Sequence, residues 1–319
     1  MRKDFKYPSS NNYSNIHGIV WKNEGSSKPV GIVQIIHGMS EYIGRYEEFA
    51  EFLVSKGYIV LGNDHLGHGA SVKDRTEYGY FGKDGNRNVI ADIHNLRKKT
   101  MLEYPNVPYY FLGHSMGSFL LRQYLSTVDE EFSGEEIRTY SHGISGAIVM
   151  GTGWQPNFLL GFGKGLCKLL SIFKKWKGRS KLLDTLAFGS YYKRIPEVRT
   201  PNDWLSVNQD NVDNYINDPM CGFTFTVNGY YNLFKAIGFA QDKSLMQNID
   251  DNMPILFIAG AEDPVGAYGE GVRKAFIKYK ENTGCQCDIK LYEEDRHEIL
   301  NENNRKEIFE DILAWLRKE

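Results

Sequence analysis

Three residues in this chain have the types and order needed for acyl transfer through a serine. Ser115 ends the run "YYFLGHS" (109–115) and stands between Gly113 and Gly117. A hydroxyl in that G-x-S-x-G setting is presented on a sharp strand-to-helix turn, where neighbouring side chains would clash with a strained serine backbone. The following "SFLLRQYL" has helical spacing, so a helix beginning at the serine directs its first N–H groups toward an anion formed there. A serine needs a base to take its proton, an acid to orient that base, and donors for the oxyanion.

Both partners lie downstream, each just after an apolar run. "PILFIAG" is followed by "AEDPVGAYG", which offers Glu262 and Asp263, and "CDIKLYEED" is followed by "RHEILNE", which offers His297. Asp263 is the preferred acid because Pro264 holds the backbone before it extended, with Glu262 as the alternative. The order Ser, acid, His is that of the α/β-hydrolases and differs from the orders in chymotrypsin-like and subtilisin-like enzymes. Of eight histidines, His297 alone follows the last such run. His114 is adjacent to the serine, and alternation along a strand sends its side chain to the opposite face. His65 and His68, in "NDHLGHG", suit turn or hydrogen-bonding roles. His37 and Gly38 end the first buried run and support an oxyanion loop, in which the N–H of Met39 joins that of Met116 as the two donors.

The elements that must position these groups are legible as short β-rich runs at 31–38, 58–64, 109–115, 143–151 and 254–260, separated by segments of helical period. In "RYEEFAEFLVSKG", Tyr46, Phe49, Phe52 and Leu53 share one face, and the C-terminal "NRKEIFEDILAWLRKE" places Ile308, Ile312, Leu313 and Leu316 on another stripe. Buried strands alternating with amphipathic helices give an α/β fold, a mostly parallel sheet covered on both faces. Reactive groups in such a sheet sit on loops at the C-terminal ends of strands. The rhythm breaks between 153 and 225, which reads as an inserted helical cap, with the core formed by 1–152 and 226–319. Inside the cap, "FGKGLCKLLSIFKKWKG" spaces Phe162, Leu166, Leu169, Phe173 and Trp176 helically among five lysines. Packing of that apolar stripe on the core is the expectation, and transient contact with an anionic membrane surface is the second reading.

Composition narrows the function. A formal charge of −2 leaves no basic field for nucleic acid, and 41% hydrophobic residues can fill a large core. The N-terminus has no signal-like apolar stretch, and four cysteines in no metal or disulfide spacing suit reduced thiols, so a soluble cytoplasmic protein is expected. "RHEILNE" lacks the second histidine of the zinc motif, and neither a P-loop nor a dinucleotide motif is present, so no metal or cofactor is expected. No obligate protein partner is evident.

"HGMSEYIGRYEEFAEFL", "NDHLGHGAS", "LGHSMGS", "AEDPVGAYGEGV" and "YEEDRHEILNE" together resemble the signature segments of the monoacylglycerol lipase and lysophospholipase-like α/β-hydrolases, a serine aminopeptidase-type hydrolase family. The resemblance implies an eight-stranded core, a helical cap over the site, and hydrolysis of esters carrying a single acyl chain through an acyl-enzyme. It carries the nucleophile to Ser115, the acid to Asp263, the base to His297 and the oxyanion donors to Met39 and Met116. Met39 and Ser40 stand where members often carry smaller residues, which implies an altered acyl pocket. A short-chain carboxylesterase or thioesterase is the alternative. More distant are an aminopeptidase-like hydrolase, an acyltransferase and a ligand-binding module without turnover.

Overall fold

The computed structural model describes residues 1–25, 28–131 and 138–318. Eight strands form one sheet: β1 (Arg2–Pro8), β2 (Asn15–Trp21), β3 (Ile32–Ile36), β4 (Ile59–Asn63), β5 (Tyr109–His114), β6 (Gly146–Met150), β7 (Ile255–Gly260) and β8 (Cys287–Tyr292). Their spatial order is β1-β2-β4-β3-β5-β6-β7-β8. β1 with β2 and β2 with β4 pair antiparallel, and every later pairing is parallel. The five runs read from the sequence are the five central parallel strands, buried along their whole length. Both faces of those strands are covered, so each reads as a continuous apolar run. The hairpin β1–β2 is absent from that reading because its outer strand, "RKDFKYP", is mostly exposed and carries little apolar signal.

The helices are α1 (Glu47–Ser55), α2 (Gly85–Glu103), α3 (Met116–Ser126), α4 (Asn157–Lys174), α5 (Lys181–Phe188), α6 (Gln209–Asn217), α7 (Val227–Ala240), α8 (Lys243–Met246), α9 (Glu270–Asn282) and α10 (Arg305–Lys318). Alternation along the strands divides the core in two. Tyr109 and Phe111 of β5 face the side covered by α2, α3, α7 and α9, whereas Tyr110 and Leu112 face α1 and α10. Parallel neighbours put the ends of β3, β5, β7 and β8 along one edge of the sheet, so the loops carrying Met39, Ser115, Asp263 and His297 converge there.

Helices α4 to α6 fall between β6 and β7. α4 is held to α7 by close packing at Gly163, where an added Cβ would lie 2.7 Å from the Phe234 ring. Only Leu160, Gly163 and Cys167 of α4 are buried. This corrects the expectation for the lysine-rich helix: Phe162, Leu169 and Phe173 are 63%, 54% and 78% exposed, and Phe158 and Ile172 join them. Of that stripe Leu166 packs partly buried against the core, while the rest is largely exposed, because the narrow row of small and aliphatic residues at 160, 163 and 167 does most of the packing. Among the described residues, no helix is long and apolar enough to cross a membrane.

Candidate active site

Ser115 joins β5 to α3 with φ 54° and ψ −121°, a conformation costing about 1–3 kcal/mol for a residue with a side chain. Surrounding contacts hold it there. Its N–H donates to the Met150 carbonyl at 3.0 Å, and its own carbonyl accepts from the Ser118 N–H and hydroxyl at 2.9 and 2.6 Å. A Cβ on Gly117 would run into the Ile36 carbonyl oxygen, and one on Gly113 would lie 2.5 Å from the Gly117 oxygen. The positions two before and two after the serine are therefore glycine for want of space.

The loop after β3 lies directly against this turn. A Cβ on Gly38 would stand 3.0 Å from Ser115 Cβ and 2.6 Å from Glu41 Oε1, so glycine permits the approach. The Gly38 N–H donates to Glu41 Oε1 at 2.5 Å, whereas the Met39 N–H donates to no backbone acceptor among the described residues. Met116 is the first residue of α3, where an N–H has no intrahelical acceptor. Two N–H groups are thus left without such an acceptor on residues that line the same cavity as the serine. His37 supports the loop from behind: its Nδ1 faces the Gly38 carbonyl at 2.8 Å and its Nε2 accepts the His65 N–H at 3.0 Å.

Asp263 follows β7 and is fully buried, while Glu262 beside it is exposed. Its Oδ1 accepts the Val265 N–H at 2.8 Å, and its Oδ2 lies 2.9 Å from His297 Nδ1. A carboxylate facing Nδ1 puts the imidazole proton there and leaves Nε2 as the free base. The His297 ring packs against Trp204 and His114, with centroids 5.2 and 4.7 Å away. Ser115, Met39, Met116 and His297 all line one cavity of about 830 Å³. Its other walls are largely apolar, with Phe119 from α3, Leu160 and Leu166 from α4, and Leu233 and Ile237 from α7.

His65 and His68 lie outside that cavity wall, in a buried stack with His37. Burial pushes His68 down to about 3 and His65 well below its ordinary value, so both are neutral. The His114 ring nitrogens face Glu41, Tyr46 and the His297 carbonyl and not the Ser115 hydroxyl; the ring also borders the cavity and belongs to a buried ionic cluster with Glu41, Arg45 and Glu298. Sequence reasoning missed these acids and the arginine, since no motif spacing joins positions 41 and 45 to 114 and 298. The clue available was adjacency, as 114 precedes the serine and 298 follows the histidine. Among the described residues, no group of three or more His, Cys, Asp or Glu side chains is arranged to hold a metal ion.

Residues 27–304 match the family model Hydrolase_4, described as serine aminopeptidase, S33. The chain is 26% identical to a monoglyceride lipase homolog from Monkeypox virus over 292 residues, 90% of each protein. It is 25% identical to phospholipase YtpA from Bacillus subtilis, over 92% of this chain and 97% of that one. Among solved structures it is similar to a thermostable carboxyl esterase from Bacillus coagulans in complex with glycerol, with a TM-score of 0.88 and 30% identity over 99% of this chain and 98% of that one.

Proposed function

The chain belongs to the serine aminopeptidase S33 family of α/β-hydrolases and is a carboxylic-ester hydrolase; from its site geometry we propose that it hydrolyses single-acyl-chain lipids, monoacylglycerols or lysophospholipids, at Ser115. The observation that carries this reading is the shared cavity, in which the serine and His297 meet an apolar wall from α3, α4 and α7. A polar reactive group in a largely apolar pocket suits an ester with a long chain and a small head group. The names of the similar viral and bacterial proteins support the same substrate class.

In the proposed reaction, Ser115 Oγ attacks the acyl carbon while His297 Nε2 takes its proton, and Asp263 stabilises the imidazolium. The N–H groups of Met39 and Met116 donate to the oxyanion. Collapse expels the alcohol, which takes the proton from His297. Water then attacks the acyl-enzyme with His297 as base, releasing the carboxylic acid and restoring the serine.

Residues 153–225 act in this reading as a cap that supplies part of the chain-binding wall, through α4, and the membrane-facing surface. The exposed Phe158, Phe162, Leu169, Ile172 and Phe173 of α4, with Lys168, Lys174, Lys175 and Lys177 beside them, suit transient contact with an anionic lipid surface. Four free cysteines suit the cytoplasm. The similarity to a carboxyl esterase favours short-chain esters as the second reading. The test is product analysis with monopalmitoylglycerol, palmitoyl lysophosphatidylcholine and a short-chain ester. Turnover of either lipid with greater kcat/KM than the short ester supports the proposal, and turnover of the short ester alone overturns it.

A further inference from the structure

In the wall of the cavity, four ionisable side chains are largely shut away from solvent, and three of them, Glu41, His114 and Glu298, border the cavity. Glu41, Arg45, His114 and Glu298 have side-chain exposures between 3% and 10%. Arg45 grips Glu298 through both nitrogens at 2.6 and 2.7 Å, and touches Glu41 Oε2 at 3.1 Å. Two carboxylates and one guanidinium leave a net negative charge, which is costly in a buried site unless a second cation is present.

The surroundings of His114 identify that cation. Its Nδ1 faces Glu41 Oε1 at 3.0 Å and the Tyr46 oxygen at 3.1 Å, and its Nε2 faces the His297 carbonyl at 3.3 Å. The Tyr46 hydroxyl already donates to Glu41 Oε1 at 2.9 Å. Every atom in front of the ring is then an acceptor. A neutral imidazole has one N–H and would set a lone pair against an acceptor on its other side, while an imidazolium satisfies both. Burial alone would push His114 down, but the Glu41 hydrogen bond and charge outweigh it and raise it. Burial likewise favours the neutral acid at Glu41, yet His114 and Arg45 hold that carboxyl well below its usual range.

Apart from the His297 ring, which packs against His114, the titratable groups around the cluster add no charge. His37 is neutral, with burial pushing it down, and Cys221 remains a thiol because burial pushes it up. Tyr46 is pushed far up by burial and by Glu41. From α6 come only Asn211, which bonds both Arg45 and Glu298, and the Tyr215 ring 5.0 Å from the guanidinium.

We propose that His114 is a buried imidazolium, locked onto Glu41, that positions the Ser115 turn against the Met39 loop and keeps a fixed positive charge beside His297. One carboxylate oxygen, Glu41 Oε1, accepts from the residue before Met39 and from the residue before Ser115. Glu298, the residue after His297, closes the ring through Arg45. The cluster thus ties together three of the four loops that converge at the site, those of Met39, Ser115 and His297. His114 is a positioning residue in this scheme, its ring centroid 4.7 Å from that of His297.

The inference rests on Ser115 and His297 forming the reacting pair. Nitrogen-correlated spectra of the ring-labelled wild-type protein near neutral pH read the His114 charge without any substitution: two protonated ring nitrogens are expected, and a ring with one overturns the proposal. In parallel, kcat and KM for a soluble ester are measured for wild type and His114→Asn. Loss of the ring's contacts to Glu41 and the His297 carbonyl lowers kcat by about tenfold or more with KM little changed, whereas an unchanged kcat contradicts the positioning role. If His114→Asn does not fold, the spectra decide. Failure of the underlying reading is distinct, because hydrolysis would then survive Ser115→Ala.

Discussion

Asp263 Oδ2 and His297 Nδ1 lie 2.9 Å apart, and both side chains are closed off from solvent. The second carboxylate oxygen is fixed by the Val265 N–H, so the acid has one orientation and the imidazole one tautomer. Asp263→Asn keeps the shape but presents an amide where an acceptor is required. We expect kcat to fall by on the order of 10⁴-fold with KM little changed, measured by steady-state hydrolysis of a soluble ester. Glu262→Gln, at an exposed neighbour, should change kcat less than about twofold.

Gly38 is the contact through which the loop proposed to hold the oxyanion reaches the serine. Alanine there would place its Cβ 3.0 Å from Ser115 Cβ and 2.6 Å from Glu41 Oε1, and the loop must back away. Displacing the Met39 N–H in this way should lower kcat by about 10²- to 10³-fold, while the melting temperature falls only modestly. A kcat within a few-fold of wild type would remove Met39 from the oxyanion role.

Stability should decline toward acid partly because of the buried histidine stack. Folded His68 accepts a proton only near about pH 3, whereas an unfolded histidine does so near about 6.5. Below that higher value the unfolded chain binds more protons, so stability present above it is lost as pH falls, by up to about 1.4 kcal/mol per pH unit. His17 acts in the opposite sense: the Asp64 hydrogen bond raises it, so its contribution is present at low pH and lost as pH rises. His68→Phe, set among Phe81, Phe223 and Phe225, isolates the first effect. Its melting temperature should vary less between neutral and mildly acidic pH than that of wild type.

The outer face of α4 makes a separate prediction. Ile172 and Phe173 are 73% and 78% exposed, so Ile172→Ser with Phe173→Ser removes little packing and should leave the melting temperature nearly unchanged. If this face meets lipid, flotation with anionic vesicles at low salt should weaken by about tenfold or more, with turnover of a soluble ester retained. Equal flotation of both proteins would argue against the face.

The sequence disclosed most about places where one physical demand dominates. The five central strands are buried on both faces and show as unbroken apolar runs, and the crowded turn at Ser115 admits only Gly113 and Gly117 beside it. Asp263 and His297 were legible because parallel strands deliver reactive loops to one edge. Where two demands share a segment, the pattern misled. α4 packs with Leu160, Gly163 and Cys167 and partly with Leu166, while exposing most of its larger apolar residues. The cluster of Glu41, Arg45, His114 and Glu298 was invisible, since its members come from three separate loops and gain their meaning only from burial together.

The central claim is that Ser115 carries the acyl group, and the most direct measurement compares wild type with Ser115→Ala. Each is assayed on p-nitrophenyl esters of increasing chain length and on monoacylglycerol, and each is treated with a fluorophosphonate whose adduct is mapped by peptide mass. We expect wild type to be labelled on Ser115 alone and to hydrolyse long-chain substrates, and the variant to lose labelling and at least about 10⁴-fold of its kcat. Labelling elsewhere, or hydrolysis that persists in Ser115→Ala, would contradict the account.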